Sequence, residues 1–184
     1  QFCPVFSMAA GVANTVGPAI NSRANPPKAE SYKAYTTAFA MTAPEEWGFL
    51  AGSTLFAGFL NGYARVYGNG NGDWDQTSWY AGLTVNTPVQ SVKVGASYSY
   101  LGTTEFASGD DNYANAVAGY LSWQLTEKLS LHGRGEYVTT DTGVFGTGTA
   151  IEPGGNSEIV ALTATLQYDL WKNVISRLEI RWDH

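Results

Sequence analysis

The chain has one cysteine, Cys3, in 184 residues. That excludes an internal disulfide and leaves no cysteine framework for a structural metal; Cys3 reads as a buried or terminal thiol. Charge is scarce: Asp, Glu, Lys and Arg make up 14% of the residues, against about a quarter in an ordinary globular domain. The surplus is acidic, with a net charge of −6. No basic stripe is present to meet phosphates, so nucleic acid is not an expected partner. No apolar run reaches the roughly 18 residues of a membrane-crossing helix, so a place in a membrane would require a closed β-barrel. No amphipathic helical pattern, phosphate loop or metal-ligand spacing appears, and no cofactor is expected. The chain opens on Gln1 without an initiator Met or signal peptide and ends inside an alternating pattern, RLEIRWDH. The expectation is a segment truncated at both ends.

What the chain does have is glycine, 21 residues, and aromatics, 14%. Both suit β structure with two unequal surfaces. The clearest stretch is 77–102. Trp79, Ala81, Leu83 and Val85 alternate with Tyr80, Gly82 and Thr84; after Thr87-Pro88-Val89 the pattern resumes, with Val92, Val94, Ala96, Tyr98 and Tyr100 against Ser91, Lys93, Gly95, Ser97 and Ser99. Strand side chains point to opposite faces with period two, so this is a hairpin with one apolar and one polar face. Pro88 cannot donate to a ladder and belongs in the turn. Each arm is about 10 residues, the length of a tilted membrane strand, with aromatics near its ends.

The same grammar runs through the chain. Strands are expected over 4–17, 32–42, 49–63, 113–125, 129–140 and 157–170, besides the central hairpin and a last strand that sets Leu178, Ile180 and Trp182 against Arg177, Glu179, Arg181 and Asp183. The stretch 49–63 carries apolar residues on both sides and reads as a strand buried on both faces. Loops are expected over 18–31, 64–76, 103–112 and 141–156, and short turns at 43–48, 87–89, 126–128 and 171–173. Long and short connections alternate, as in outer-membrane barrels. The strand count is about nine, whereas single-chain bacterial barrels are even-numbered. The fold class is all-β: an antiparallel up-and-down transmembrane β-barrel, an incomplete segment of a larger one, in a single domain 1–184.

The polar face holds nearly all the strand charge: Lys93, His132, Arg134, Glu136, Arg177, Glu179, Arg181 and Asp183. These are the expected pore-lining residues of a water-filled lumen. Trp79, Tyr98, Tyr100, Trp123, Tyr137 and Trp182 are the expected membrane-interface aromatics. The bland alternative is a soluble sheet whose charged face is solvated, but then a second sheet must cover the apolar face.

Two further patterns are weaker. Residues 68–75, GNGNGDWD, resemble one turn of a calcium-binding Gly/Asp repeat, with Asp73 and Asp75 as candidate metal ligands. Such sites need tandem copies, so a hairpin loop is the simpler reading. Glu105, Asp110 and Asp111 likewise read as a solvated loop. For catalysis, Ser130 and Glu136 share the face of His132, but strand neighbours at i±2 stand roughly 7 Å apart. That is too far for a hydrogen-bonded triad, and no enzyme activity is expected.

SYKAYTTAFAMTAP, the following GFLAGSTLFAGFLNG and the late NVISRLEIRWDH resemble the bacterial outer-membrane β-barrel porins of the OmpL-like group. A late strand in such proteins often reads Ser-Arg-Leu-Glu, here Ser176, Arg177, Leu178 and Glu179. The resemblance covers most of the chain and implies a diffusion pore in a Gram-negative outer membrane, with no catalytic residues to carry over. The chain departs from the family in ending on His184 rather than on the aromatic that the assembly machinery reads.

The resulting expectation is a porin that passes small hydrophilic solutes or ions passively. Membrane lipid, the outer-membrane assembly machinery and further copies of the chain are its expected partners. A non-conducting adhesive surface barrel and a soluble β-sandwich binding module are the alternatives. The first would carry aromatic-rich outer loops, whereas these are mainly Gly, Asn and Thr.

Overall fold

Alternation of apolar and polar residues becomes nine strands. The computed structural model of the protein describes residues 5–14, 33–65, 73–105, 111–140 and 157–184. The strands are β1 (Phe6–Ala13), β2 (Ala34–Thr42), β3 (Thr54–Arg65), β4 (Asp73–Asn86), β5 (Val92–Glu105), β6 (Asp111–Gln124), β7 (Leu129–Thr140), β8 (Ser157–Trp171) and β9 (Val174–Asp183). Each pairs antiparallel with its neighbours in the chain, giving one nine-stranded sheet in the order β1 to β9. The sheet is open, with β1 and β9 at its edges, and has the form of an incomplete up-and-down β-barrel.

Register fixes the faces. Leu83 pairs with Ala96, Ala96 with Gly119, Gly119 with Gly135, Gly135 with Leu162, and Leu162 with Trp182. Because directly paired residues share a face, one side of the sheet is apolar from β3 to β9. No layer covers it. Leu162 is 54% exposed, Leu178 65% and Ile180 68%. Among the described residues the buried apolar side chains are only Tyr63 and five alanines, Ala34, Ala43, Ala114, Ala118 and Ala161. This sheet has no hydrophobic core of the kind a soluble sandwich places between two layers.

Several sequence expectations need correction. The strand expected from residue 49 begins at Thr54, because Glu45–Leu50 forms a short 3-10 helix kinked at Gly48, whose φ of 61° is open to glycine at low cost. Asn86 straps this connection to β4: its side-chain amide donates to the Ala51 carbonyl at 2.6 Å, and its backbone N–H donates to Ser53 Oγ at 3.0 Å. Nor is β3 buried on both sides. Phe56 and Phe59 lie on opposite faces, and both are exposed, at 46% and 44%.

The ends of the expected loops 64–76 and 103–112 are strand: β3 runs to Arg65, β4 starts at Asp73, β5 runs to Glu105 and β6 starts at Asp111. The strict alternation of long and short connections therefore does not hold. The connection 106–110 is no longer than 87–91, and 43–53 is not a tight turn. The contrast survives at β8, which the chain reaches at Ser157 after β7 ends at Thr140 but leaves through Lys172-Asn173 alone. There Asn173 takes φ 70°, a left-handed conformation that Asn tolerates. Cys3, Asp110 and residues 68–72 lie outside the described residues.

Candidate functional site

Period two brings most strand charges of β5 and β7–β9 onto the face opposite the apolar one, in rows across the ladder; Glu158, near the start of β8, is on the apolar side. In one row Tyr120 pairs with Arg134, Arg134 with Thr163, and Thr163 with Arg181. One step toward the turns 87–91 and 125–128, Lys93 pairs with Ser122, Ser122 with His132, His132 with Thr165, and Thr165 with Glu179. One step the other way lie Glu136, Ala161 and Asp183, in pairing order. Arg177 pairs with Gln167 beyond Glu179. The eight charged or ionisable residues singled out from the sequence thus share one face.

These side chains are held by neighbours. Arg134 Nη2 donates to Glu136 Oε1 at 2.7 Å. Arg181 Nη2 lies 2.8 Å from Asp183 Oδ1, and its Nε donates to the same carboxylate. The Thr165 hydroxyl donates to Glu179 Oε2 at 2.9 Å, and Arg177 Nε to Gln167 Oε1 at 2.9 Å. The Tyr120 ring lies against the Arg134 guanidinium at 5.8 Å, and its hydroxyl is 3.1 Å from Ser97 Oγ. The charged face is concave here, enclosing a hollow of about 470 Å³ lined by residues from β4 to β9.

The geometry corrects one sequence argument. Residues at i±2 do meet: Ser130 Oγ is 3.0 Å from His132 Nε2, while the cross-strand partner Ser122 brings its Oγ to 2.9 Å from Nδ1. The strand spacing is a Cα distance, and side chains leaning along the strand close it. The arrangement is still not a nucleophilic triad. Both imidazole nitrogens are taken by serines, and Glu136 is taken by Arg134 rather than by His132.

The metal candidates are displaced as well. Asp73 and Asp75 belong to β4, not to a loop. The side chain of Asp73 lies outside the described residues, and the Asp75 carboxylate is approached by the Asn61 amide at 3.4 Å. Among the described residues no group of three or more His, Cys, Asp or Glu is gathered for a metal ion.

All six singled-out aromatics lie on the apolar face, by register. Trp79 pairs with Tyr100, with ring centroids 5.8 Å apart, and Tyr98 approaches Trp79 at 4.7 Å. These two are not at strand ends as expected, because β4 and β5 continue beyond them as Thr77, Asp75 and Gly102. Trp123 sits at the other limit of the apolar band, beside the turn 125–128. Two aromatics on that rim escaped the sequence reading. Trp171, 65% exposed, closes β8. Trp47, 53% exposed, leans with Leu50 over Met41, Leu55, Leu83 and Val85 on the apolar face. The signal for Trp47 was the apolar run after Glu45-Glu46, which read as part of a turn.

One face greasy and uncovered among the described residues, the other charged and hollowed, on an up-and-down meander, is the build of a pore wall. The family model described as "Putative beta-barrel porin-2, OmpL-like" matches residues 37–184. The chain belongs to this porin family. The match takes in every strand from β3 to β9 and with them the whole charged face. No curated protein and no solved structure matches the chain. As the resemblance of its motifs implied, the chain belongs with the OmpL-like porins, and its open up-and-down sheet is consistent with an incomplete β-barrel.

Proposed function

We propose that this chain forms the wall of a water-filled channel in a Gram-negative outer membrane, through which small hydrophilic solutes or ions diffuse passively. The observation that carries the reading is the uncovered apolar face backed by a charged one. An apolar face of seven strands left in water would aggregate or pair. In lipid it is at rest, and every backbone group finds its partner once the barrel is closed. Residues 1–184 form one barrel domain on this reading. Lys93, His132, Arg134, Glu136, Arg177, Glu179, Arg181 and Asp183 line the lumen, and no catalytic role falls to them.

Lipid covers the other face. Trp79, Tyr98, Tyr100, Tyr137 and Trp182 mark one interface, and Trp123, Trp47 and Trp171 the other. The line through the first set steps along the ladder: Trp182 lies in the row of Leu83, two side-chain steps turnward of Trp79. Strands tilted against a barrel axis require such a stagger at constant membrane depth.

The test is conductance of the full-length protein, refolded in detergent and added to a planar bilayer. Discrete, steady current steps are the expected result. Insertion without current would replace the channel by a plugged or adhesive barrel, and a chain that stays in solution without detergent would end the membrane reading.

A further inference from the structure

Arg134 and Arg181 stand on either side of Thr163, each its direct cross-strand partner. Their Cα atoms are therefore two ladder spacings apart, roughly 9.6 Å. That separation lets two guanidinium groups turn toward one small anion seated over the strand between them.

We infer that Arg134, Thr163 and Arg181 form a binding subsite for an oxyanion (a carboxylate, sulfonate or phosphate group of a small solute) on the charged face. Three observations carry this. The first is pre-organisation. Arg134 is held by Glu136 on one edge and by the Tyr120 ring on its flank, and Tyr120 is itself fixed by Ser97. Arg181 is held by Asp183. A guanidinium has five N–H donors. One carboxylate takes only part of them, and both arginines keep open surface, with side chains 41% and 51% exposed.

The second is the direction of the counter-ions. Glu136 and Asp183 are both the i+2 residue of their arginine, so both lie on the same side of the arginine row. The hollow itself is lined by Lys93, Arg134 and Arg181 against the single carboxylate of Glu179. Glu179 is engaged by Thr165, and Lys93 makes no ion pair among the described residues. The third is the unused donor at the centre. The Thr163 hydroxyl lines the same hollow and makes no hydrogen bond among the described residues. Two charged forks on either side of a hydroxyl, in one row and lining one hollow, supply the donor types that a planar or tetrahedral oxyanion takes.

This deepens the proposed pore by naming the solute class, and it rests on that reading only for the claim that the anion is in transit. The test separates the two. Titrate the refolded full-length chain in non-ionic detergent with inorganic phosphate, following heat, and measure conductance separately. Saturable binding is expected. It should weaken about tenfold in R134Q and in R181Q, the loss of one charge-assisted hydrogen-bonding partner, and disappear in the double variant. T163V, which keeps the shape and removes the hydroxyl, should weaken it less, and K172Q in the remote turn should leave it intact. If an arginine variant does not refold, T163V against K172Q still decides. Phosphate that binds R134Q/R181Q or T163V as tightly as the parent, or does not saturate the parent, overturns the subsite. Binding without conductance leaves the subsite standing and removes the pore.

Discussion

Trp79 and Tyr100 face each other across the β4–β5 ladder, and the outward surface changes character at that pair. Turnward of it the side chains are Ala81, Leu83 and Val85; beyond it they are Thr77 and Asp75. An indole fits such a boundary because its ring is apolar and its N–H is not. In bilayers with bromines placed shallow or deep on the acyl chains, the emission lost in W79F should be the part quenched by shallow bromines. Equal quenching by deep bromines would place this row inside the apolar band.

Leu121 and Ser122 are chain neighbours on opposite faces of β6. An arginine at 121 would sit in the apolar band, at a cost of about 2–4 kcal/mol near the bilayer midplane. L121R should lower the unfolding free energy of the refolded protein in lipid by that order. S122R should change it little, because position 122 shares its face with His132 and Lys93. Equal penalties would mean that the faces are assigned wrongly.

Glu136 holds Arg134, and it also lies within electrostatic reach of Arg181 on β9. Neutralising it frees Arg134 and removes a negative charge near Arg181, so both act more strongly on ions in the channel. E136Q should shift the reversal potential in a salt gradient toward anion selectivity, and R134Q should shift it the other way. Shifts of the same sign in both would show that this row does not set the field of the pore.

Gly62 leaves no room for a side chain. A methyl group there would overlap the backbone of Ala34 on β2, itself 4% exposed. Backbone cannot swing aside as a long side chain can, so G62V should pry β2 from β3. The expected loss is about 1–3 kcal/mol, read as a lower denaturant midpoint, while G119A, which meets open space, should be neutral.

The faces were legible because period two is a strong code wherever one side is apolar. Leu129 to Tyr137 and Val160 to Leu170 keep the pattern without a break, and their strands fall where expected. The code goes silent where both faces are polar. Asp75, Gln76, Thr77 and Ser78 alternate in space but not in character, so the ends of β4 and β5 read as loop. Glu45-Glu46-Trp47 carried no helical period because the 3-10 helix is too short to show one. The arginine row was hidden for another reason. Arg134 and Arg181 are far apart in the chain, and only register places both beside Thr163.

The order of the strands in space is their order in the chain. No strand reaches past its neighbour for a partner, so each ladder is a private arrangement between two consecutive stretches. A hairpin copied or deleted in such a sequence leaves every other ladder with its original partner. Barrel diameter grows with the number of strands. In a closed wall of this design the aperture is thus a count of repeated hairpins, and gene duplication alone can widen it while the chemistry of each row is kept.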